Sequence, residues 1–429
     1  MRNIHLSGII LLLVFGCRPS LQTPTPDSGV LSLASYTAIG DGYSAGLADA
    51  ILSDTTRVSG WHPESQFNSF PALLARQFSL TGIMTFTQPL LPSSGSGRLY
   101  IESVSNPTCL FEKSTPVLLA EPGNINWNAD NNASIPHNLA IPGLDISDLN
   151  IPFSQISTPA WPMLGGLASQ SYLELIRESP PGFFSIFLGL DQYIALAKSG
   201  DSSPDFTRHD LIDHISLLLK SLTQSSGAKG IIATLPDATS FPYFTRIGNR
   251  FLNIENCRGT ASPIYITNAN GQITMANSED RILMPVRSLL GTQHNGDGSF
   301  GLVSTNPVPA EWVLDEVEVN GIRSSILEYN TVIDSLAEAV NQSTGVQKIA
   351  VVDLYAAFQE LESGIMEDGI QLSTEYLSGE IFSLDGLYLT ARGNAWLANE
   401  FISTINSIPD FNASIPPLDI TRFQGIKYP

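Results

Sequence analysis

The stretch Ile39-Gly40-Asp41-Gly42-Tyr43-Ser44-Ala45-Gly46 decides the fold expected of this 429-residue chain. Residues 36–39 form a short apolar run that breaks at a Gly-Asp-Gly turn, and residues 44–52 can follow as a helix with a hydroxyl at its start. Working outward, residues 138–141, 183–188, 230–235 and 349–353 are further apolar runs bounded by turn signals, the pattern of buried strands. Between them lie helical patterns at 170–178, 209–224, 314–341 and 390–405. Alternation of this kind predicts a mainly parallel sheet with helices on both faces, a three-layer α/β/α architecture.

Two segments break the rhythm and are expected to be insertions. Residues 89–134 are rich in Gly, Pro, Ser and Asn, and residues 246–309 carry the turn signals Asn270-Gly271, Asn295-Gly296 and Asp297-Gly298. Loops at the carboxyl ends of parallel strands line the ligand crevice of open α/β sheets, so insertions of this size can roof a pocket. No internal repeat is found.

With 43% hydrophobic residues the chain can bury a full core, and its formal charge of −20 removes the electrostatic footprint that nucleic acid or an anionic membrane would require. The amino terminus reads as an address. Arg2 and His5 precede the apolar run Ile9 to Phe15, which is too short to span a membrane and suits a signal peptide. That run ends in Val14-Phe15-Gly16-Cys17, which looks like a bacterial lipobox, so Cys17 is expected to carry lipid. The expected organisation is therefore a lipoprotein signal peptide at 1–17, a linker at 18–35, one domain at 36–412 and a tail at 413–429. Cys109 and Cys257 remain, and in an oxidising compartment they can form one disulfide or stay free.

The opening stretch resembles the first motif of the SGNH/GDSL hydrolase superfamily, Gly-Asp-Ser followed by a residue and a second hydroxyl, except that Gly42 stands at the serine position. Residues 36–71, including Gln66-Phe67-Asn68-Ser69-Phe70-Pro71, are similar to the opening of lipoprotein-type members from Bacteroidetes. Leu139-Ala140-Ile141-Pro142-Gly143 resembles the second motif, whose glycine amide helps to form the oxyanion hole. Phe187-Leu188-Gly189-Leu190-Asp191-Gln192 resembles the third, normally Gly-residue-Asn-Asp, and Asp385-Gly386-Leu387-Tyr388 resembles the last, normally Asp-residue-residue-His. The resemblance runs in order from about residue 36 to residue 408 and implies the SGNH-hydrolase-like, flavodoxin-like form of the three-layer fold. No acidic run follows Cys17, a run that would mark surface export in Bacteroidetes, so the resemblance implies an outer-membrane anchor facing the periplasm.

Ester hydrolysis on such a site needs an activated serine, a histidine base oriented by an aspartate, and donors aimed at the oxyanion. Here the serine position is Gly42, the histidine position Tyr388 and the donor asparagine position Asp191, while the orienting Asp385 and the oxyanion glycine Gly143 match. Loss of nucleophile or base from such a unit costs on the order of 10⁶ in rate. A lost oxyanion donor costs roughly 3–4 kcal/mol more, and a phenol with a pKa of about 10 is too rarely ionised at neutral pH to replace the base.

Neighbouring residues offer little rescue. Ser44 reads as a helix cap or turn bond, His137 should lie far from the turn, and His209 and His214 do not share a helix face. His62 and His294 lie in turn-rich loops and read as solvated. Asp41, Asp191 and Asp385 could converge on a hard cation such as Ca²⁺, but turn aspartates are usually satisfied by backbone amides, so neither a metal nor a cofactor is expected.

Two functions therefore stand as expectations. The first is a pseudoenzyme that binds a small ester, acyl or glycan ligand, or a protein partner, without turnover. The second is an ester hydrolase, whether esterase, lipase or carbohydrate deacetylase, working through substituted residues.

Overall fold

The computed structural model describes residues 25–53, 57–92, 95–105, 115–125, 134–200, 207–255, 258–294 and 298–427. The lipobox with Cys17, the signal segment 1–17, and both Cys109 and Cys257 lie outside the described residues. At the centre is a parallel sheet in which β1 (Tyr36–Gly40) pairs with β2 (Phe183–Phe187), β2 with β3 (Lys229–Ala233), and β3 with β4 (Ile349–Val352). Every residue of β1 and β2 is buried, which is why these strands read as unbroken apolar runs instead of alternating ones.

Beyond β1 the chain at 138–141 makes a fifth, very short parallel contact. The Ala38 amide donates to the His137 carbonyl at 2.9 Å, and the Leu139 and Ile141 amides donate to Ala38 and Gly40 at 2.9 and 3.2 Å. Counted this way the chain order across the sheet is 2-1-3-4-5, with the reversal of direction beside β1.

Helices cover both faces. They are α1 (Phe70–Phe78), α2 (Tyr172–Glu178), α3 (Leu190–Ser199), α4 (Arg208–Ser226), α5 (Glu316–Thr344), α6 (Leu354–Ser363) and α7 (Ala391–Ser407). On one face the rings of Tyr36, Phe183 and Phe187 meet Phe78 and Phe70, and Phe70 stacks on Phe401, so α1 and α7 share that layer. On the other face α2, α4 and α5 pack together, and Tyr329 of α5 donates to the Leu188 carbonyl at the end of β2 at 2.6 Å. The length of α5 follows from its ends. Asp315 accepts from the Val317 and Glu318 amides, the Glu318 carboxylate in turn accepts from the Asp315 amide, and the helix stops at Gly345 with φ of 68°.

One element differs from the sequence expectation at the most informative point. The helix expected over 44–52 is a single turn, Gly42–Ala45, ended by Gly46 at φ 85°. The chain beyond it is diverted because the amides of Asp49 and Ala50 bond to Ser383 Oγ and Asp385 Oδ2 instead of continuing a helical ladder. Helices α1, α3 and α6 did not stand out in the sequence. The segment after residue 89 forms an antiparallel hairpin, Gly97–Ser105 with Thr115–Pro122. The segment after 246 forms two-stranded pieces around a small core of its own, which includes Ile264, Ile266, Val286, Phe300 and Val308. Leu31 and Leu33 before β1, and Ile415, Leu418 and Ile420 after α7, belong to the main core. Among the described residues no helix is long and apolar enough to cross a membrane.

Candidate functional site

The site is built at the carboxyl end of β1. Gly40 is enclosed so tightly that a Cβ would stand 2.1 Å from Ser44 Oγ and 2.2 Å from the Phe187 carbonyl oxygen, so only glycine allows β1 and β2 to end this close to the turn. Asp41 comes next and is fully buried. Its Oδ2 accepts the amides of Gly189 and Asp191 at 2.8 and 3.1 Å, which ties the turn after β1 to the first turn of α3. Asp191 is thereby delivered to the helix amino terminus, where the macrodipole favours a negative charge.

The Asp191 carboxylate turns inward. Its Oδ2 accepts two backbone amides, from Gly42 at 2.8 Å and from Gly143 at 3.1 Å, and its Oδ1 accepts the Tyr388 hydroxyl at 2.9 Å. Gly143 presents its amide from a left-handed conformation, φ 73°, and its carbonyl accepts from Arg57, which is paired with Asp145 at 2.9 and 3.0 Å. Two amides within 3.1 Å of one oxygen are the geometry that stabilises an oxyanion. Here the oxygen belongs to the protein.

Electrostatics fit that arrangement. Burial raises the pKa of Asp191, opposed by the bonds from Gly143 and Gly42, by the Arg57 charge and by the Tyr388 bond. Asp41 is raised well above the usual carboxylate range, first by burial and then by the Asp191 charge, and among the described residues its Oδ1 has no hydrogen-bond partner. Burial and mutual repulsion thus raise both carboxyls of the pair, and the donors from Gly42, Gly143 and Tyr388 favour the charged form of Asp191. Burial, with the Asp191 charge behind it, pushes the Tyr388 phenol well above its ordinary value, so it acts as a neutral donor.

Asp385 completes the group without touching Asp191. Its Oδ1 accepts the amides of Leu387 and Tyr388 at 2.7 and 2.8 Å, and its Oδ2 accepts the Ala50 amide at 2.6 Å and the Ser383 hydroxyl at 3.0 Å. With four donors it fixes the loop that holds Tyr388. The structure thus brings Gly42, Gly143, Asp191, Asp385 and Tyr388 into one hydrogen-bonded cluster.

A crevice of about 900 Å³ opens over Asp191 and Tyr388. Leu47, Ile51, Ile194 and Leu387 form apolar walls, and both insertions roof it, the hairpin through Leu99 and Leu118 and the later segment through Leu283 and Pro285, with Trp312 just beyond it. Volume and lining fit a small-molecule pocket, with few polar groups in a largely apolar wall.

The other candidates lie elsewhere or are occupied. Ser44 donates to the Phe187 carbonyl at 3.0 Å, and His137 is bonded to Thr87 at 2.8 Å. His209 faces Asp213 at 3.5 Å, and His214 contacts the Asp210 carbonyl at 2.7 Å. His294 stacks on Trp312 and meets Phe300 edge-on. The solvated reading of His62 is corrected. It is buried and caps the short helix Pro63–Phe67 by accepting the Ser65 amide at Nδ1, because a buried helix start needs an acceptor for its first amides. Among the described residues no three His, Cys, Asp or Glu side chains are grouped to hold a metal ion. Sequence reasoning missed Arg57 and Asp145, whose pairing across two loops left no motif in either segment. Comparison with protein-family models and with curated proteins finds no match.

Proposed function

We propose that this chain is a catalytically silent SGNH/GDSL-type protein with the flavodoxin-like form of the layered fold, which binds a ligand or partner in the crevice without turning it over. One observation carries the reading. The place where two amides would receive an oxyanion is filled by the Asp191 carboxylate, which accepts from Gly42 and Gly143. A substrate carbonyl would have to displace a charged acceptor held by three donors and then develop a second negative charge beside it. The ligand that fits is neutral or cationic, whether a small ester, an acyl or glycan group, or a protein segment. The Val14-Phe15-Gly16-Cys17 pattern supports attachment by lipid at the outer membrane, facing the periplasm.

Hydrolysis through substituted residues is the weaker reading, since the Tyr388 hydroxyl is engaged by Asp191 and the Ser44 hydroxyl by Phe187. A fluorophosphonate probe tests the proposal, because it labels only an activated serine. The purified chain should remain unlabelled. Stoichiometric labelling of a serine in the crevice would overturn the reading.

A further inference from the structure

The four strands of the sheet begin along one edge, at Tyr36, Phe183, Lys229 and Ile349, which the parallel register sets side by side. The crevice opens at the other end of the same strands, over Asp191 and Tyr388.

Four large apolar side chains stand in water along the amino edge. Ile83 is 97% exposed, and Val30, Leu80 and Val346 are about half exposed. Leu80 and Ile83 lie between Phe78 and Phe86, whose rings both pack on Tyr36, at 5.1 and 5.4 Å. The Val30 amide donates to the Phe411 carbonyl at 3.0 Å. The Lys229 ammonium sits 5.1 Å from the Phe411 ring and donates to the carbonyl of Gln347, the neighbour of Val346, at 2.6 Å. Gln77, at the end of α1, donates to the Pro416 and Pro417 carbonyls at 2.6 and 3.0 Å and so ties the two halves of the edge together. Exposed apolar residues scattered singly need no explanation, but these four share one end of the molecule.

Charge favours the same end. The chain carries a formal charge of −20, yet the segments along this edge, residues 27–35, 78–86, 179–182, 227–229, 345–348 and 408–414, hold only Asp27 and Asp410 against Lys229 and Lys348. The excess of acid lies elsewhere on the surface, so this is an end that an acidic protein can bring against lipid headgroups without repulsion.

The chain also enters the domain here. Asp27 and Ser414 exchange backbone bonds at 3.0 and 2.8 Å, which fixes the start of the described chain to the edge. Thr25 lies eight residues after Cys17. At about 3.3–3.6 Å per residue, the two can be at most about 29 Å apart.

We infer that the amino edge of the sheet rests on the phospholipid bilayer, with Val30, Leu80, Ile83 and Val346 entering the headgroup boundary and the crevice turned to the aqueous side. The inference rests on the reading of Cys17 as the lipid-bearing residue. A tether this short keeps the edge near the bilayer, and burial of the four side chains sets which way the domain faces. The crevice then receives its occupant from the water phase and not from within the membrane.

The test uses the full-length lipidated protein in vesicles of phosphatidylethanolamine with a minor share of phosphatidylglycerol, with acyl chains brominated to quench fluorescence. A bimane label is placed at Ile83→Cys, at Val346→Cys or at Met275→Cys, with Cys109→Ser and Cys257→Ser in each. Met275 is 60% exposed and belongs to the insertion that roofs the crevice. The labels at 83 and 346 should each lose about half of their fluorescence relative to unbrominated vesicles, because docked side chains sit about 5–10 Å into the headgroup boundary. The label at 275 should lose none. Val30→Asp with Leu80→Asp should restore the fluorescence at 346 while the protein still floats with the vesicles. Equal quenching at all three positions, or none at 83 and 346 in protein that floats, would overturn the docking and leave the anchor standing. Shielding of the label at 83 without any effect of bromine would mean that a second copy covers the edge, and would overturn it too. Protein that does not float with the vesicles at all would overturn the anchor and the docking together.

Discussion

Replacing Asp191 by Asn and by Ala separates a carboxylate that satisfies the site from one that is incidental to it. In the Asn variant the oxygen that accepts from Gly42 and Gly143 is retained as an amide oxygen, and the new NH₂ faces Tyr388, whose hydroxyl can turn to accept. Geometry is kept and a buried charge beside Asp41 is removed, so stability at neutral pH should change by less than about 1 kcal/mol. The Ala variant orphans two backbone amides and a phenol. Hydrogen bonds to charged groups are each worth about 1.5–3 kcal/mol, and crevice water recovers part of them, which leaves an expected loss of about 3–5 kcal/mol. Urea unfolding of the three proteins, followed by near-ultraviolet circular dichroism, measures both differences. Equal destabilisation by Asn and Ala would refute the reasoning, and so would an Ala variant as stable as the wild type.

The triple change Gly42→Ser, Asp191→Asn and Tyr388→His should create measurable hydrolysis of activated short-chain esters, while each single change should create almost none, because nucleophile, base and oxyanion donors act as a unit. Gly42→Ser meets a steric bar in both backgrounds, since a Cβ at residue 42 would stand 2.7 and 2.9 Å from the two terminal atoms of residue 191, so the triple variant works only if that side chain shifts. Thermal stability should rise as pH is lowered from about 8 towards 6, because burial holds Asp49 and Glu400 at about 7 and Asp148 at about 6. With folded values above their unfolded ones, these groups stabilise fully below about pH 4 and lose that contribution as pH rises through 6 to 7. His62, held down at about 4, works in the opposite sense, contributing fully above its unfolded value and losing that contribution as pH falls through 4. A melting temperature that peaks at about pH 8 in calorimetry would contradict this expectation. Cys17→Ser should release the full-length protein from membranes, and quantitative sedimentation of that variant with membranes would place the anchor elsewhere.

The strands were legible because β1 to β4 are buried on both faces, which writes them as continuous apolar runs that no surface requirement interrupts. The long helices α4 and α5 were legible from their period and their caps. The single turn Gly42–Ala45 was not, because what ends it is tertiary: bonds from residues 49 and 50 to Ser383 and Asp385, more than 330 positions away. The five motif positions could be picked out one by one, and the structure brings them together. Their mutual orientation could not be read. In the sequence, residue 191 reads only as a lost oxyanion donor, whereas its carboxylate takes the place of an oxyanion, and that depends on the two amides lying within reach of the same oxygen. The obstacle to a side chain at residue 42 was also unreadable. Gly42 has an ordinary helical backbone and is confined by Asp191 and Tyr388, not by a strained turn.

The central claim is that Asp191 has closed the site to chemistry, and the measurement that bears on it most directly is ester turnover by the purified wild-type chain. Hydrolysis of p-nitrophenyl acetate should not exceed background, and Asp385→Ala should leave that rate unchanged. Robust turnover by the wild type that Asp385→Ala abolishes would contradict the account, since it would mean a working site assembled around a carboxylate that accepts the very amides an oxyanion needs.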